Sequence, residues 1–247
     1  MSDMNHPRVV MVTGASGDIG TAVCQRLLAN GVAIAAVDLQ SVPLAGVQAF
    51  SCDVTDRAAL QATIEAVETG MGPINGLVNV AGILACGAAL DADPSVIERV
   101  WRVNFLGTFN ACQLVGRGMV ARQQGAIVNI GSVVGKNAGN ARPWLNPDES
   151  VAAAGVAYGT AKAAVHALTG FLAREFAAAG VRVNTVAPGP VVSPMTRQFP
   201  EMLRKLIPLG RMAQPDEVAA AIEFLLSEQA SFITGETLDV NGALWCD

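Results

Sequence analysis

Short apolar runs alternate along the chain with segments in which apolar residues recur every three or four positions. The runs are typical of strands buried on both faces and cover residues 8–13, 32–37, 47–51, 76–80, 126–130, 181–186 and 238–240. The segments between them predict helices over residues 18–30, 56–69, 94–103, 105–122, 156–179 and 215–226. This alternation predicts an α/β fold with a Rossmann-type, doubly wound parallel sheet and helices on both faces.

No linker or change of composition divides the chain, so we expect a single domain over residues 1–247. Apolar residues make up 51% of the chain and charged residues 15%, which predicts a large interior and apolar surface buried between subunits. No apolar run approaches the roughly 18 residues of a membrane helix, and the first residues have no secretory apolar region. We therefore expect a cytoplasmic protein with no membrane partner.

Charge and metal-ligand patterns exclude further classes of function. The net charge is −5 and the basic residues are scattered, so no nucleic-acid surface is expected. The five cysteines include no C-x-x-C pair, which favours reduced thiols. The two histidines, His6 and His166, have no metal-ligand spacing, so no metal site is predicted.

A glycine-rich turn, Thr-Gly-Ala-Ser-Gly-Asp-Ile-Gly over residues 13–20, links the first predicted strand to the first helix. Glycines let the backbone approach a pyrophosphate, and the helix N-terminus offers free N–H groups. Asp38 ends the second strand about 20 residues later, where a carboxylate can accept hydrogen bonds from ribose hydroxyls. It would repel an NADP 2′-phosphate by up to about 4 kcal/mol at ~4 Å, and no base follows nearby, so NAD is the expected cofactor.

The chain's single tyrosine, Tyr158, lies four residues before Lys162 on a predicted helix. Residues four apart share a helix face, so a phenol and an ammonium are expected side by side. A phenol with a pKa of ~10 needs a bias of roughly 4 kcal/mol to lose its proton near neutral pH, which positive charge can supply. Ser132 follows a buried strand, at the end where ligands bind in parallel sheets, and its hydroxyl can polarise a carbonyl.

These motifs, in this order, resemble the short-chain dehydrogenase/reductase family over nearly the whole chain, in particular 3-oxoacyl-carrier-protein reductases and related secondary-alcohol dehydrogenases. The resemblance implies a catalytic tetrad of Asn104, Ser132, Tyr158 and Lys162. It also implies that Val191 contacts the carboxamide and that the Asp53-Val54 pair contacts adenine. The cofactor-binding residues are then Gly14, Ser16, Asp18, Ile19, Gly20, Asp38, Leu39, Asp53, Val54, Asn79, Ala81, Gly82, Tyr158, Lys162, Pro188, Gly189, Val191 and Ser193.

Three departures from the family pattern affect this prediction. Asp18 stands where the family has the middle glycine of the turn, and Val80 replaces its second asparagine. Ser132 and Tyr158 are 26 positions apart, about twice the family's spacing, so a dozen or so residues are inserted within 135–155. We expect this loop to form a wall of the substrate pocket with Trp144 as an apolar cover. Lys136 or Arg142 would then meet an anionic substrate group, and the substrate contacts are Ser132, Val134, Trp144 and Tyr158.

Together these features predict an enzyme that moves a hydride between NAD(H) and a secondary alcohol or ketone, with Tyr158 as the acid/base. One alternative is an NADPH-dependent 3-oxoacyl-thioester reductase. Another, of a different class, is a dinucleotide-binding sensor or scaffold without turnover. The small residues of the long helix, including Ala157, Ala161, Ala164 and Ala178, and the apolar C-terminal segment lead us to expect a homotetramer.

Overall fold

A computed structural model describes residues 8–139, 155–196 and 201–246. Its strands form one seven-stranded sheet in which all neighbouring strands run parallel, in the order β3-β2-β1-β4-β5-β6-β7. The predicted α/β fold with a doubly wound parallel sheet is confirmed. The strands are β1 (Val9–Thr13), β2 (Ala33–Asp38), β3 (Gln48–Ser51), β4 (Ile74–Asn79), β5 (Gly125–Ile130), β6 (Val181–Pro188) and β7 (Thr237–Val240).

Helices cover both faces of this sheet. Those described are α1 (Asp18–Ala29), α2 (Arg57–Met71), α3 (Pro94–Trp101), α4 (Thr108–Arg122), α5 (Val134–Asn137), α6 (Val156–Phe176), α7 (Glu201–Arg204) and α8 (Pro215–Leu226). Val10 and Val12 of β1 face the core formed with α1 and α8, whereas Val9 and Met11 face the core formed with α2, α4 and α6. The alternation of strand side chains therefore builds two apolar layers, one on each face.

The strand order reverses between β1 and β4. The chain passes from β1 to β2 and β3 on one side, and then returns to lay β4 against the other side of β1. Loops that leave neighbouring strands in opposite directions open a crevice at the carboxyl end of the sheet, which is where doubly wound sheets bind ligands. Gly14, Asp38, Val80, Gly131 and Pro188 all lie at this end.

Two local predictions differ from the structure. The helices expected on either side of Asn104 are joined by a π-helical segment, Arg102–Gly107, which continues α3 into α4 without a break. In such a segment each backbone hydrogen bond spans one residue more than in an α-helix, so the helix continues where the apolar periodicity is interrupted. Helix α2 also continues through Gly70 and ends at Gly72, whose φ of 101° suits a glycine C-cap.

Candidate active site

The glycine-rich turn brings the loops after β1 and β4 into contact. Gly14 has a φ of +67°, and a Cβ atom there would lie 2.5 Å from the backbone nitrogen of Ala81. Only glycine therefore fits this position. The close approach leaves the backbone of the turn open to the crevice, which Ser16, Asp18 and Ile19 also line.

Gly20 supports the turn from beneath and does not belong to the lining of the crevice. A Cβ atom at Gly20 would lie 2.1 Å from the carbonyl oxygen of Gly14, so helix α1 packs directly on the backbone of the turn. Gly14 lines the open cleft, whereas Gly20 allows helix α1 to pack closely on the backbone of the turn. The structure therefore supplies a packing reason for Gly20, where the sequence suggested ligand contact.

Asp38, at the end of β2, has both carboxylate oxygens directed to backbone N–H groups at the rim of the crevice. Its Oδ2 accepts a hydrogen bond from the nitrogen of Ser16 at 3.0 Å, and its Oδ1 accepts one from Gln40 at 2.9 Å. The carboxylate is thereby fixed beside the glycine-rich turn and lines the cleft together with Leu39. This is the geometry needed to accept further bonds from ribose hydroxyls.

The predicted adenine contacts, Asp53 and Val54, also line the cleft, as do the predicted cofactor-binding residues Ala81 and Gly82. Asn79 does not. It is buried below the cleft, where its Nδ2 donates to Oδ1 of Asn129 at 2.9 Å, and its Oδ1 has no hydrogen-bond partner among the described residues. Asn79 therefore acts on the site through the sheet.

Asn104 lies on the π-helical segment and is completely buried. Its Oδ1 accepts from the nitrogen of Ile83 at 2.7 Å and its Nδ2 donates to the oxygen of Ile83 at 2.9 Å, so one amide clamps the loop after β4. A Cβ atom at Gly82 would lie 3.1 Å from Asn104 Oδ1 and 3.6 Å from Lys162 Nζ. Gly82 thus leaves room for Asn104 and Lys162 to lie near each other.

The carboxyl end of β5 and the start of α6 bring Ser132, Tyr158 and Lys162 together. The Ser132 side chain interacts with the Tyr158 phenol and lowers its pKa. The Nζ atom of Lys162 lies 5.8 Å from the centre of the Tyr158 ring and donates to the carbonyl oxygen of Ile130 at 2.7 Å. All three residues line the cleft, with Lys162 only 3% exposed.

Burial dominates the electrostatics of this cluster. It lowers the pKa of Lys162 to about 8 and raises the pKa of Tyr158 above its ordinary value, although the Ser132 hydroxyl partly offsets the latter shift. From the sequence we expected a lowered pKa for the Tyr158 phenol. In the structure the pKa of this phenol is raised instead. Removal of both groups from water penalises their charged forms more than the lysine favours the phenolate. Burial therefore brings the pKa of the lysine towards neutral pH and keeps the phenol protonated there.

The segment after β6 closes the other side of the cleft. Pro188, Gly189, Val191 and Ser193 all line it. A Cβ atom at Gly189 would lie 2.9 Å from the Cα atom of Asn241, so this strand end packs tightly on the loop after β7. Thr196, which the sequence did not suggest, also lines the cleft and donates through Oγ1 to the oxygen of Val191 at 2.7 Å.

The whole cleft has a volume of about 990 Å³, which is large enough for a dinucleotide and a small substrate. Sequence reasoning missed the contribution of α3 and the π-helical segment, which add polar and charged residues to the wall. No sequence motif indicates these positions, because they belong to the ordinary amphipathic surface of α3 and of the segment that follows it. They are Ser95, Glu98, Arg99 and Arg102.

Of the predicted substrate contacts, Ser132 and Tyr158 line the cleft, whereas others do not. Lys136 does not line the cleft, and its Nζ atom forms a partly buried ion pair with Asp239 Oδ2 at 2.8 Å, so its expected role with an anionic substrate is not supported. Val134 is also absent from the lining and instead donates its N–H to Ser132 Oγ at 3.2 Å. Trp144 and Arg142 lie outside the described residues.

No group of three or more histidine, cysteine or acidic side chains is arranged to hold a metal ion in the described part of the chain. In the same residues, no helix is long and apolar enough to cross a membrane.

Comparison with known proteins gives a consistent result over the whole chain. A family model described as "Enoyl-(Acyl carrier protein) reductase" matches residues 14–244. The 2-(S)-hydroxypropyl-CoM dehydrogenase 3 of Xanthobacter autotrophicus is 36% identical over 99% of this chain and 99% of its own length. A 3-oxoacyl-[acyl-carrier-protein] reductase of Thermotoga maritima is 33% identical over 96% of this chain and 97% of its own length. The solved structure of the aldohexose dehydrogenase of Thermoplasma acidophilum matches with a TM-score of 0.85 and 30% identity, covering 97% of this chain and 94% of that one.

The lowered pKa of Lys162 predicts a specific dependence of stability on pH. The folded protein releases the lysine proton near pH 8, whereas the unfolded chain keeps it to about pH 10.5. Between these values the unfolded state binds more protons, so this group makes the free energy of unfolding rise with pH, by on the order of 2–3 kcal/mol in all. Denaturant unfolding of the wild type and of Lys162→Met between pH 7 and 10.5 should show that gain only in the wild type.

Lys205→Met is the matched control, because Lys205 is exposed and its removal should leave the pH dependence unchanged. Parallel pH curves for the wild type and Lys162→Met would show that Lys162 does not titrate as its burial implies.

Proposed function

The chain belongs to the short-chain dehydrogenase/reductase family and is an oxidoreductase acting on CH–OH and C=O groups, and we propose that it transfers a hydride between NAD(H) and a secondary alcohol or ketone, with Tyr158 as the acid/base. The observation that carries the proposal is the Ser132–Tyr158–Lys162 cluster at one end of a cleft whose other end is the glycine-rich turn. One end suits a dinucleotide and the other suits proton transfer.

The residues of the cleft fit a nicotinamide dinucleotide. The glycine-rich turn lines the cleft at Gly14, Ser16 and Gly17, and helix α1 begins directly after it, so the N–H groups of the helix N-terminus would face a pyrophosphate there. Asp38 would hold the adenine ribose, Asp53 and Val54 the adenine, and Val191 and Ser193 the carboxamide. When bound, the nicotinamide ring accepts or supplies the hydride.

Tyr158 would exchange a proton between its Oη atom and the substrate oxygen. In alcohol oxidation Oη would take the hydroxyl proton of the substrate while the phenol's own proton passes towards Lys162 in its amine form, and the carbinol carbon would give its hydride to the cofactor. In reduction the protons and the hydride would move in the opposite direction. Ser132 would donate to the substrate oxygen, since its hydroxyl already adjoins the phenol. Lys162, with its pKa near 8, would relay the proton and bind the nicotinamide ribose, and Asn104 would order the path to it.

Two alternative functions can be tested against this proposal. An NADPH-dependent 3-oxoacyl-thioester reductase is favoured by the relative from Thermotoga maritima and by the arginines of α3 and the π-helical segment that line the cleft. The Asp38 carboxylate opposes it, because it lies where a 2′-phosphate would have to bind. A non-catalytic dinucleotide sensor is opposed by the assembled Ser132–Tyr158–Lys162 cluster, which ligand binding alone does not require.

We also propose that the protein works in the cytoplasm, without nucleic-acid or membrane partners. All five cysteines lie within the described residues and all are free thiols, which suits a reducing compartment. The net charge of −5 disfavours contact with nucleic-acid phosphates.

Replacing Tyr158 with phenylalanine should abolish most of the activity. The change removes the proton carrier and keeps the ring, so we expect kcat to fall by a factor on the order of 10³ while the dissociation constant of NADH stays within about twofold. Steady-state kinetics and fluorescence titration measure the two quantities. A loss of less than tenfold with chemistry rate-limiting would assign the proton transfer to another group.

Asp38 should set the cofactor preference. We expect kcat/KM with NAD⁺ to exceed that with NADP⁺ at least a hundredfold, on the order of the repulsion between a carboxylate and a 2′-phosphate, and Asp38→Ser to narrow the gap. Asp53→Asn, a change of charge elsewhere in the same cleft, should affect both cofactors alike. A wild-type preference for NADP⁺ would overturn the assignment and favour the thioester reductase.

We propose a homotetramer, partly on different residues from those first expected. Ala157 and Ala161 are buried inside the subunit and are not available to a neighbour, whereas Phe171 of the same helix is 75% exposed and Trp245 is 38% exposed. Light scattering should give about four times the 25.5 kDa subunit mass at micromolar concentration, and Phe171→Glu should lower it. A monomer mass for the wild type would reject the proposal.

A further inference from the structure

Helix α6 presents a third polar side chain to the end of β5, one turn beyond the lysine. Tyr158, Lys162 and His166 follow one another at intervals of four residues and so lie on one face of the helix. Tyr158 interacts with the Ser132 side chain, and Lys162 donates a hydrogen bond to the Ile130 oxygen. The backbone nitrogen of Ser132 donates to Nε2 of His166 at 3.2 Å. His166 does not belong to the proposed catalytic tetrad.

The imidazole of His166 fits a space that two glycines leave open. A Cβ atom at Gly131 would lie 2.0 Å from His166 Nε2, and a Cβ atom at Gly135 would lie 3.2 Å from its Cε1. The ring therefore rests against the backbone on both sides of Ser132. Any side chain at Gly131 would displace it.

Ser132 is held by three hydrogen bonds, one at each of its polar atoms. Its N–H donates to His166, its backbone oxygen accepts from the nitrogen of Gly135 at 3.0 Å, and its Oγ accepts from the nitrogen of Val134 at 3.2 Å. Because Oγ accepts from Val134, its own hydrogen is free to point towards the phenol and the substrate position. Of the three bonds, that with His166 connects the Ser132 backbone to the helix that carries Tyr158.

We propose that His166 is a positioning residue for the reaction, which sets the Ser132 hydroxyl relative to the Tyr158 phenol by accepting the Ser132 N–H. The inference rests on the proposed catalytic role of Ser132. Nε2 accepts this bond and therefore carries no proton, so the acting form is the neutral imidazole with its proton on Nδ1. Placement of a reacting group to within about 0.5 Å affects the rate far more than it affects the binding of a remote cofactor.

The chemistry of the contact supplies a matched set of variants. In glutamine the side-chain oxygen lies about as far along the side chain as Nε2 of histidine, so His166→Gln retains an acceptor for Ser132. Asparagine is one bond shorter, so its oxygen cannot reach, and leucine fills the space with no acceptor. Loss of the acceptor would leave the Ser132 N–H without its partner, whereas loss of packing alone would affect glutamine and asparagine similarly.

The experiment measures kcat, KM and the NADH dissociation constant for His166→Leu, His166→Asn, His166→Gln and Ser132→Ala. We expect kcat to fall at least tenfold in the leucine and asparagine variants, with the NADH dissociation constant within about twofold, and to remain within about threefold of wild type in the glutamine variant. Where the leucine variant fails to fold, the comparison of asparagine with glutamine carries the test.

The outcomes separate the two hypotheses. If Ser132→Ala lowers kcat at least a hundredfold but His166→Leu and His166→Asn stay within twofold of wild type, His166 is not a positioning residue and the proposed function stands. Equal losses in the asparagine and glutamine variants would reduce His166 to a packing role and overturn the inference. If Ser132→Ala itself keeps full activity, the proposed function fails.

Discussion

The hydrogen bond from Lys162 Nζ to the carbonyl oxygen of Ile130 joins the two halves of the site. It ties α6, which carries Tyr158, to the last residue of β5, which leads to Ser132. The bond places an amine where it is only 3% exposed, at a cost that appears as the lowered pKa. Burial of an ionisable group is unfavourable for folding, so its presence here opposes stability. A less costly apolar side chain would pack the helix, but it would provide neither the bond nor the proton.

The rest of the cleft depends on close approaches of the backbone rather than on side-chain chemistry. Gly14 lets the loops after β1 and β4 meet, Gly20 lets α1 rest on the turn, and Gly131 leaves space for the His166 ring. At each of these positions a methyl group would collide with backbone or with a ring. The glycines thus determine the shape of the cleft, and the polar residues act on the shape that they allow.

Much of this arrangement follows from the sequence, because strands buried on both faces give continuous apolar runs and parallel strands end at one edge. That reasoning alone predicted that Asp38 and Ser132 lie at the ligand-binding end of the sheet, and both line the cleft. It did not predict the π-helical segment, because the change of apolar phase at Asn104 was interpreted as a break between two helices rather than as an extra residue within one. Nor could it predict that Lys136 pairs with Asp239, because 103 positions separate them. The direction of the Tyr158 pKa shift depends on burial, which spacing does not measure.

Below the site, a series of buried polar side chains connects β4, β5 and β6 and passes through helix α6. Asn79 Nδ2 donates to Asn129 Oδ1, Asn129 Nδ2 donates to Thr169 Oγ1 at 2.9 Å, and the hydroxyls of Thr169 and Thr185 lie 2.6 Å apart. Apolar contacts between helix and sheet permit sliding, whereas hydrogen bonds require particular distances and angles. These bonds fix α6 against β5 and β6 one turn beyond His166. The relative positions of Tyr158 and Ser132 therefore depend on polar contacts of four side chains over about three turns of the helix, namely Tyr158, Lys162, His166 and Thr169.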